Sequence, residues 1–464
     1  MKKIILVILL ISTLNTFSSE LFKFQLAKDE KLEGTYSAEF GSNKTIHVAL
    51  IKNSETGKFL FSPYLVDENN KVSKLESFVM SKKLQILSYH LNDDVATFSN
   101  YDEEEKLLYV IDFNLTTGKS KSITTKLNQK ADNIFRFQDK TIFVFFDKKL
   151  GISFKTIKNT VTKFESSINV SSEKLKVFKS AVNALPEAVN QTEYVENGSI
   201  QKAKTYIVDN KLIMTFETDK HVIEIFKFDL NESLFSASSI SPYSLDSLRD
   251  FSNYVFDNKI ATLGVNAKDA SLSFYDVGNL NKIATLSLAS IVDEPILKDF
   301  IKTTSKFSFR PTLTINKNIN GKYILRIDNV DENTYSYNYN WWFHQWFFQQ
   351  QMWHQQMMMN QMRMNQMNFS RGGFGPNVNF LEDDRYFFKD QKKAIQIVLD
   401  LDLNTVLNDT KETQMKYIDR DDYVDKYKQN GRIKEFSSSF TKDEFRYIYQ
   451  DKKSKVITIF SEKI

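Results

Sequence analysis

One local pattern recurs along this chain and limits what it can become. Alternating apolar residues meet a short polar turn ending in lysine, and alternating apolar residues follow. It reads 134–137, turn Asp139-Lys140, then 141–146. It returns as 205–208, turn Asp209-Asn210-Lys211, then 212–216. Further copies are Asp257-Asn258-Lys259 after 254–256, Asn320-Gly321-Lys322 before 323–327, and Asp390 to Lys393 after 386–388. The last is Asp451-Lys452-Lys453, between 445–449 and 456–460. Looser copies are Ser42-Asn43-Lys44 and Ser81-Lys82-Lys83. Period-2 alternation places every second side chain on a buried face. Asp and Asn accept the backbone of a tight turn, so each copy reads as a β-hairpin.

The turns begin near positions 41, 81, 139, 209, 257, 320, 390 and 451. The shortest intervals match the unit of a propeller blade, roughly 40–50 residues. Two intervals parse into four strands each: 205–208, 212–218, 222–228 and 233–240, then 253–256, 260–265, 271–275 and 282–286. A third opens with 141–146, 151–157 and 160–165. The last copy has too few strands left, while 21–26 reads as a spare one. The expectation is an all-β chain, a β-propeller of about seven four-stranded blades whose N-terminal strand completes the last blade. Six and eight blades are the alternative counts. Closing the ring removes exposed sheet edges. Two β-sandwich-type domains are the competing arrangement. No WD dipeptide or kelch-type glycine pair recurs at a fixed offset, so no family is assigned.

Three stretches break the β rhythm and read as helices inserted between strands or blades. They are 172–189, 293–303 with Pro295 in its first turn, and 414–430 ending at Gly431.

Residues 1–18 read as a bacterial-type secretory leader. Lys2 and Lys3 precede the apolar run 4–11, and Thr16 and Ser18 place small residues at −3 and −1. That run is too short to span a bilayer. The expected organisation is a leader at 1–18 and a propeller domain at 19–464. The expected location is the periplasm or cell exterior, with the protein soluble once the leader is removed. The chain has no cysteine among its 464 residues. An exported chain without disulfides must be held by its core. The formal charge of +4 falls to +2 without Lys2 and Lys3, too little for a nucleic-acid binder.

Residues 333–381 stand apart as a low-complexity Trp/Gln/Met-rich insertion. From 333 to 362 there is no Lys, Arg, Asp or Glu, and all four tryptophans of the chain fall here. Seven of the eleven methionines lie in 352–367. One reading is a biased segment without unique structure. A second is a contact surface formed by Trp341, Trp342, Phe343, Trp346, Phe347, Phe348 and Trp353, facing an envelope protein, a glycan or a membrane surface. A third is Cu(I) handling by His354 with Met357, Met358, Met359, Met362, Met364 and Met367, because thioethers are soft ligands.

Elsewhere the chemistry is sparse. His47, His90 and His221 lie far apart, and neither G-x-S-x-G nor H-E-x-x-H occurs. The acidic cluster at 419–425 lacks the glycine of a calcium loop, and 102–105 reads as a charged turn. Paired acids for glycoside hydrolysis are not singled out. No catalytic or cofactor-binding residue is assigned. The reading is a non-catalytic binding or scaffold protein, with the insertion as contact element. The alternatives are a methionine-rich copper-binding protein and a propeller-type hydrolase.

Overall fold

In a computed structural model the described residues are 18–40, 43–102, 104–127, 129–161, 163–189, 199–241, 247–317, 321–332, 395–403, 405–406, 433–441, 443–451 and 453–463. They form seven sheets, nearly all of whose strand pairs are antiparallel and join strands that follow one another in sequence. The chain is an all-β, propeller-like fold.

Strand β1 (Ser18–Gln25) leads into the first blade, formed by β2 (Glu30–Phe40), β3 (Lys44–Asn53), β4 (Phe59–Val66), β5 (Val72–Lys74) and β6 (Phe78–Met80). The last two pair with opposite halves of β4 and together replace one outer strand. Blade two holds β7 (Gln85–Asn92), β8 (Val95–Asp102), β9 (Leu107–Asn114) and β10 (Ser120–Lys126). Blade three holds β11 (Asn133–Phe137), β12 (Lys140–Asp147), β13 (Gly151–Ile157) and β14 (Lys163–Asn169). Helix α1 (Ser172–Asn183) and the short β15 (Glu187–Ala188) precede blade four. That blade is β16 (Ala203–Val208), β17 (Lys211–Glu217), β18 (Ile223–Asp229) and β19 (Leu234–Ile240), with β15 parallel to β16.

Blade five is β20 (Asp250–Phe256), β21 (Lys259–Val265), β22 (Ala270–Asp276) and β23 (Lys282–Ser287), followed by α2 (Glu294–Thr304). Blade six shows β24 (Phe309–Lys317), β25 (Tyr323–Asp331) and β26 (Ile395–Leu399). A bridge from Leu399 to Val406 starts a further pairing there. Blade seven is β27 (Ile433–Phe440), β28 (Glu444–Asp451) and β29 (Val456–Lys463). Its outer strand is β1, antiparallel to β29 from Ser18↔Glu462 to Gln25↔Val456. The expected closure by the N-terminal strand is therefore what the fold uses.

The hairpins follow from their turns. Asp209 and Asn210 both take positive φ, 47° and 60°, which a two-residue type I′ hairpin requires. The turn motif marks a hairpin without saying which one. At Asn43, Asp139, Asp209, Asp257 and Gly321 it joins a blade's first and second strands. At Asp451 it joins the second and third, and Ser81-Lys82-Lys83 connects two blades. The true inner turn of blade two is Asp93-Asp94. The copy at Asp390 and the helix expected at 414–430 lie outside the described residues, as does the leader short of Ser18.

Two other boundaries moved for physical reasons. The strand expected at 160–165 begins at Lys163. Thr160 is instead tied across to blade two, its N–H and hydroxyl both donating to Asp112 Oδ2 at 2.8 and 2.6 Å. The helix expected at 172–189 ends at Asn183. Pro186 forbids helical backbone at the preceding residue, and Leu185 turns to φ +54°.

Apolar layers run between successive blades. Ile51 and Tyr64 of blade one pack with Ile448 and Ile457 of blade seven. Phe61 meets Phe98 and Phe113, linking blades one and two. Tyr101 and Val110 join Phe143 and Ile157, and Phe154 joins Phe178 and Phe226. One continuous layer spans blades four, five and six through Tyr206, Phe256 and Leu325. Inner strands are thus buried on both faces. β16 is buried at all six positions. Its six residues, Lys204 and Thr205 among them, have no solvent-facing position. Outer strands such as β10 keep the solvent-facing pattern.

The seam between blades seven and one is polar at one end. Arg446 on β28 is 1% exposed. Its Nη1 donates to Asn43 O at 2.9 Å, Val66 O at 3.2 Å and Thr45 Oγ1 at 3.3 Å. Its Nη2 reaches Asp67 O at 3.0 Å and Glu444 at 2.9 Å. Replacing it by methionine removes a donor from each of three blade-one carbonyls. Arg446→Met should lower unfolding free energy by about 3 kcal/mol, by analogy with breaking a buried pair, which urea denaturation will read.

His47 lies in the same seam, fully buried, with Nδ1 2.8 Å from Ser37 Oγ. Burial, and after it the charge of Arg446, pull its imidazole down from 6.5 to about 3. The unfolded chain therefore binds this proton first. The stability His47 contributes is complete above the unfolded value and is lost as pH falls toward the folded one. Between pH 7 and 5 unfolding free energy should drop, approaching about 1.4 kcal/mol per pH unit from this group. In His47→Gln the drop should be smaller.

Candidate functional site

Blade entry points gather charged side chains on one face of the ring. The second strand of a blade ends there, and the chain enters the next blade's first strand there. In blade four β17 ends at Glu217, in blade five β20 starts at Asp250, and in blade six β24 starts at Phe309. A cavity of about 680 Å³ opens between them. Its walls include Lys202, Glu217, His221, Arg249, Phe251, Arg310 and Glu332.

Glu217 forms one wall. Its Oε1 accepts from Lys204 Nζ at 2.7 Å and from Asn253 Nδ2 at 2.6 Å. Lys204 is 2% exposed, so this is an ion pair deep between blades. Burial is the largest influence on Glu217 and pushes it above the usual carboxylate range. Lys204 and Asn253 work against that shift without cancelling it. Glu217 Oε2 has no hydrogen-bond partner among the described residues.

The turn after Glu217 sets the imidazole. Thr218 N donates to Val222 O at 2.9 Å and His221 N to Thr218 O at 3.1 Å. This tight loop holds His221 at φ 56°. Its ring meets the Phe251 ring edge-on, centroids 5.6 Å apart. Neither ring nitrogen has a hydrogen-bond partner among the described residues, and Nδ1 is buried.

The far wall is an ion-pair cluster. Arg310 Nη1 lies 3.1 Å from Asp250 Oδ2 and its Nε 2.5 Å from Glu332 Oε1. The bond to Glu332 leads in holding the guanidinium above its ordinary value. Glu332 N donates to Ser308 O at 2.7 Å. Lys202 is paired with Asp219 at 2.7 Å. The Arg249 guanidinium has no partner among the described residues.

The carboxylates here are engaged as ion pairs. His221 has no serine or acid within hydrogen-bond reach among the described residues. The arrangement is suited to holding a polar ligand by its charges. Nothing in it forms a relay from base to nucleophile.

The residues singled out from sequence fare differently. Trp341, Trp342, Phe343, Trp346, Phe347, Phe348, Trp353, His354, Met357, Met358, Met359, Met362, Met364 and Met367 all lie outside the described residues, as does the acidic cluster at 419–425. Asp102 proves to be a turn anchor. It accepts from Glu104 N and Glu105 N at 3.1 Å and pairs with Lys82 at 2.7 Å. His90 is a core residue, with Nε2 2.8 Å from Lys158 O and Nδ1 3.0 Å from Thr141 Oγ1. Among the described residues no three potential ligands converge as a metal cage. The cavity itself was not foreseen, because it is built from several separate segments of chain. One signal was present: only ten of the 62 basic residues are arginine. Arg310 and Arg446 hold two of the described positions where a fork of donors matters.

No protein-family model matches the chain, and no curated protein matches it. Solved structures are similar at low identity. A Synechocystis apocarotenoid oxygenase mutant is 12% identical over 56% of this chain, with a TM-score of 0.28. The chain spans 63% of that oxygenase's length. An uncharacterised protein of Listeria monocytogenes is 13% identical over 58% of this chain and 69% of its own, TM-score 0.29. The β-propeller domain of the trilobed protease from Pyrococcus furiosus is 9% identical over 93% of this chain and 94% of its own, TM-score 0.31. Similarity at this level carries no functional argument.

The Lys204–Glu217 pair gives a direct check of the site's electrostatics. Lys204→Met leaves Glu217 buried without its cation and should cost about 3–5 kcal/mol. The double variant Lys204→Met/Glu217→Leu should recover most of that loss. Chemical denaturation of the two variants and the parent measures both.

Proposed function

We propose that the protein is an exported, non-catalytic binding or scaffold protein of the bacterial envelope. The blades form a rigid frame, and the Trp/Gln/Met-rich insertion at 333–381 is the contact element. The observation that supports this reading is where the insertion's flanks stand. β25 ends at Asp331, and Glu332 lines the cavity on the blade-entry face. β26 begins at Ile395, paired with Ile327 of β25. The described strands on either side of 333–394 therefore leave and re-enter the ring on the face that carries the charged cavity.

Such a face suits recognition. Antiparallel blades fix the geometry, while loops between strands carry variable chemistry. Trp341, Trp342 and Trp346 bring large contact area at low conformational cost. Export follows from the leader at 1–18, which lies outside the described strands apart from Ser18. Among the described residues no helix is long and apolar enough to cross a membrane.

Deleting 333–381 tests the reading. The variant should retain its β-rich circular dichroism and unfold within a few degrees of the parent. It should lose co-fractionation with the cell envelope and capture of envelope partners. Unchanged fractionation and capture in a folded deletion variant would discard the insertion as contact element.

A further inference from the structure

The cavity between blades four, five and six has a charge balance that selects among ligands. Lys202 is neutralised by Asp219, while Arg310 stands between two carboxylates, Asp250 and Glu332, which leaves one negative charge over. Three groups on its walls remain uncommitted among the described residues. These are the Arg249 guanidinium, the Glu217 Oε2 atom and the His221 ring nitrogens, of which Nδ1 is buried. Glu217 comes from blade four and Arg249 from the entry to blade five, so cation and carboxylate stand on different walls.

An anion alone would satisfy Arg249 and face the Glu217 carboxylate. A cation alone would satisfy Glu217 and face Arg249. A neutral sugar would leave the Arg249 guanidinium without a counter-charge and would leave Glu217, whose Oε1 is paired with Lys204, with its second oxygen facing no cation. A ligand carrying both charges meets both groups, the guanidinium taking a carboxylate as a fork and the carboxylate taking an ammonium. Phe251 and Pro311 add apolar wall between the charged groups. The volume of about 680 Å³ lies inside the range of roughly 300–1,000 Å³ that encloses a drug-sized ligand. That exceeds the needs of one amino acid.

We propose that this cavity binds a short peptide with free ends, its carboxylate on Arg249 and its ammonium on Glu217. His221 lines the same cavity on the turn that follows Glu217. This goes beyond the role given to the insertion and does not require it.

Isothermal titration calorimetry on the full chain tests the assignment. The probe is the tripeptide Ala-Phe-Ala, titrated alongside its N-acetylated form and its C-terminal amide. The free tripeptide should bind, and each blocked form should bind at least tenfold more weakly. Arg249→Ala removes an exposed side chain and should leave thermal unfolding unchanged. It should weaken the free tripeptide at least tenfold while removing the difference between acid and amide. Glu217→Gln, if folded by circular dichroism, should remove the difference between free and acetylated N-termini. The proposal is overturned if Ala-Phe-Ala gives no heat at millimolar concentration, if both blocked forms bind as well as the free one, or if Arg249→Ala binds like the parent. Repeating the titration on the 333–381 deletion separates the two readings: the cavity should still bind peptide even where envelope association fails.

Discussion

The contact on which the ring most depends is the burial of one arginine at its seam. A propeller whose first and last blades come from opposite ends of the chain must hold them together without a covalent link. Cysteine is absent here. Strand pairing supplies part of the answer, through β1 on β29. Arg446 adds to it and to the apolar layer around Tyr64 and Ile448, with donors spent on blade-one carbonyls. Around it Ser37 bonds Ser437 at 2.9 Å, and Glu39 accepts from Phe440 N at 2.9 Å. Burial works against the Glu444 carboxylate, but Asn70 and Arg446 together hold it below its ordinary range. The seam therefore combines its apolar layer with directional bonds, whereas the joint between blades one and two rests largely on packed aromatics and aliphatics.

Two-sided burial explains the rest of the interior. A blade squeezed between neighbours has no solvent face on its inner strands. Serine and threonine fill positions where a larger side chain would push blades apart. Thr97, Thr141, Thr205, Ser252 and Thr262 are all buried. Their hydroxyls need partners nearby, and several reach across blades. Ser88 bonds Thr141, and Thr205 bonds Asn133. The Lys204–Glu217–Asn253 chain is the charged extension of this polar layer into the cavity.

The fold was more legible than the site. Blades four and five could be read strand by strand, because each hairpin combines a turn that demands positive φ with flanks of strict period. Local signals of that kind need no knowledge of neighbours. Boundaries went astray where a distant residue intervened, as Asp112 does at Thr160. The cavity was invisible for the same reason at larger scale. Lys202, Glu217, Arg249, Arg310 and Glu332 share no spacing and meet only when three blades are in place. The most conspicuous stretch of sequence, by contrast, lies outside the described strands, and what the structure adds is the position of its flanks.

The pairing of β1 with β29 has a kinetic side. The first strand to be made waits for the last before it has a partner. Contacts of such long sequence separation are slow to form. A chain stopped anywhere before β29 keeps β1 unpaired and lacks the strand that β28 would pair with next. In that state it presents open sheet edges of the kind that invite aggregation. Once β29 docks, both edges vanish in one step. Closure is thus decided by topology: only a molecule carrying both β1 and β29 can reach the closed state.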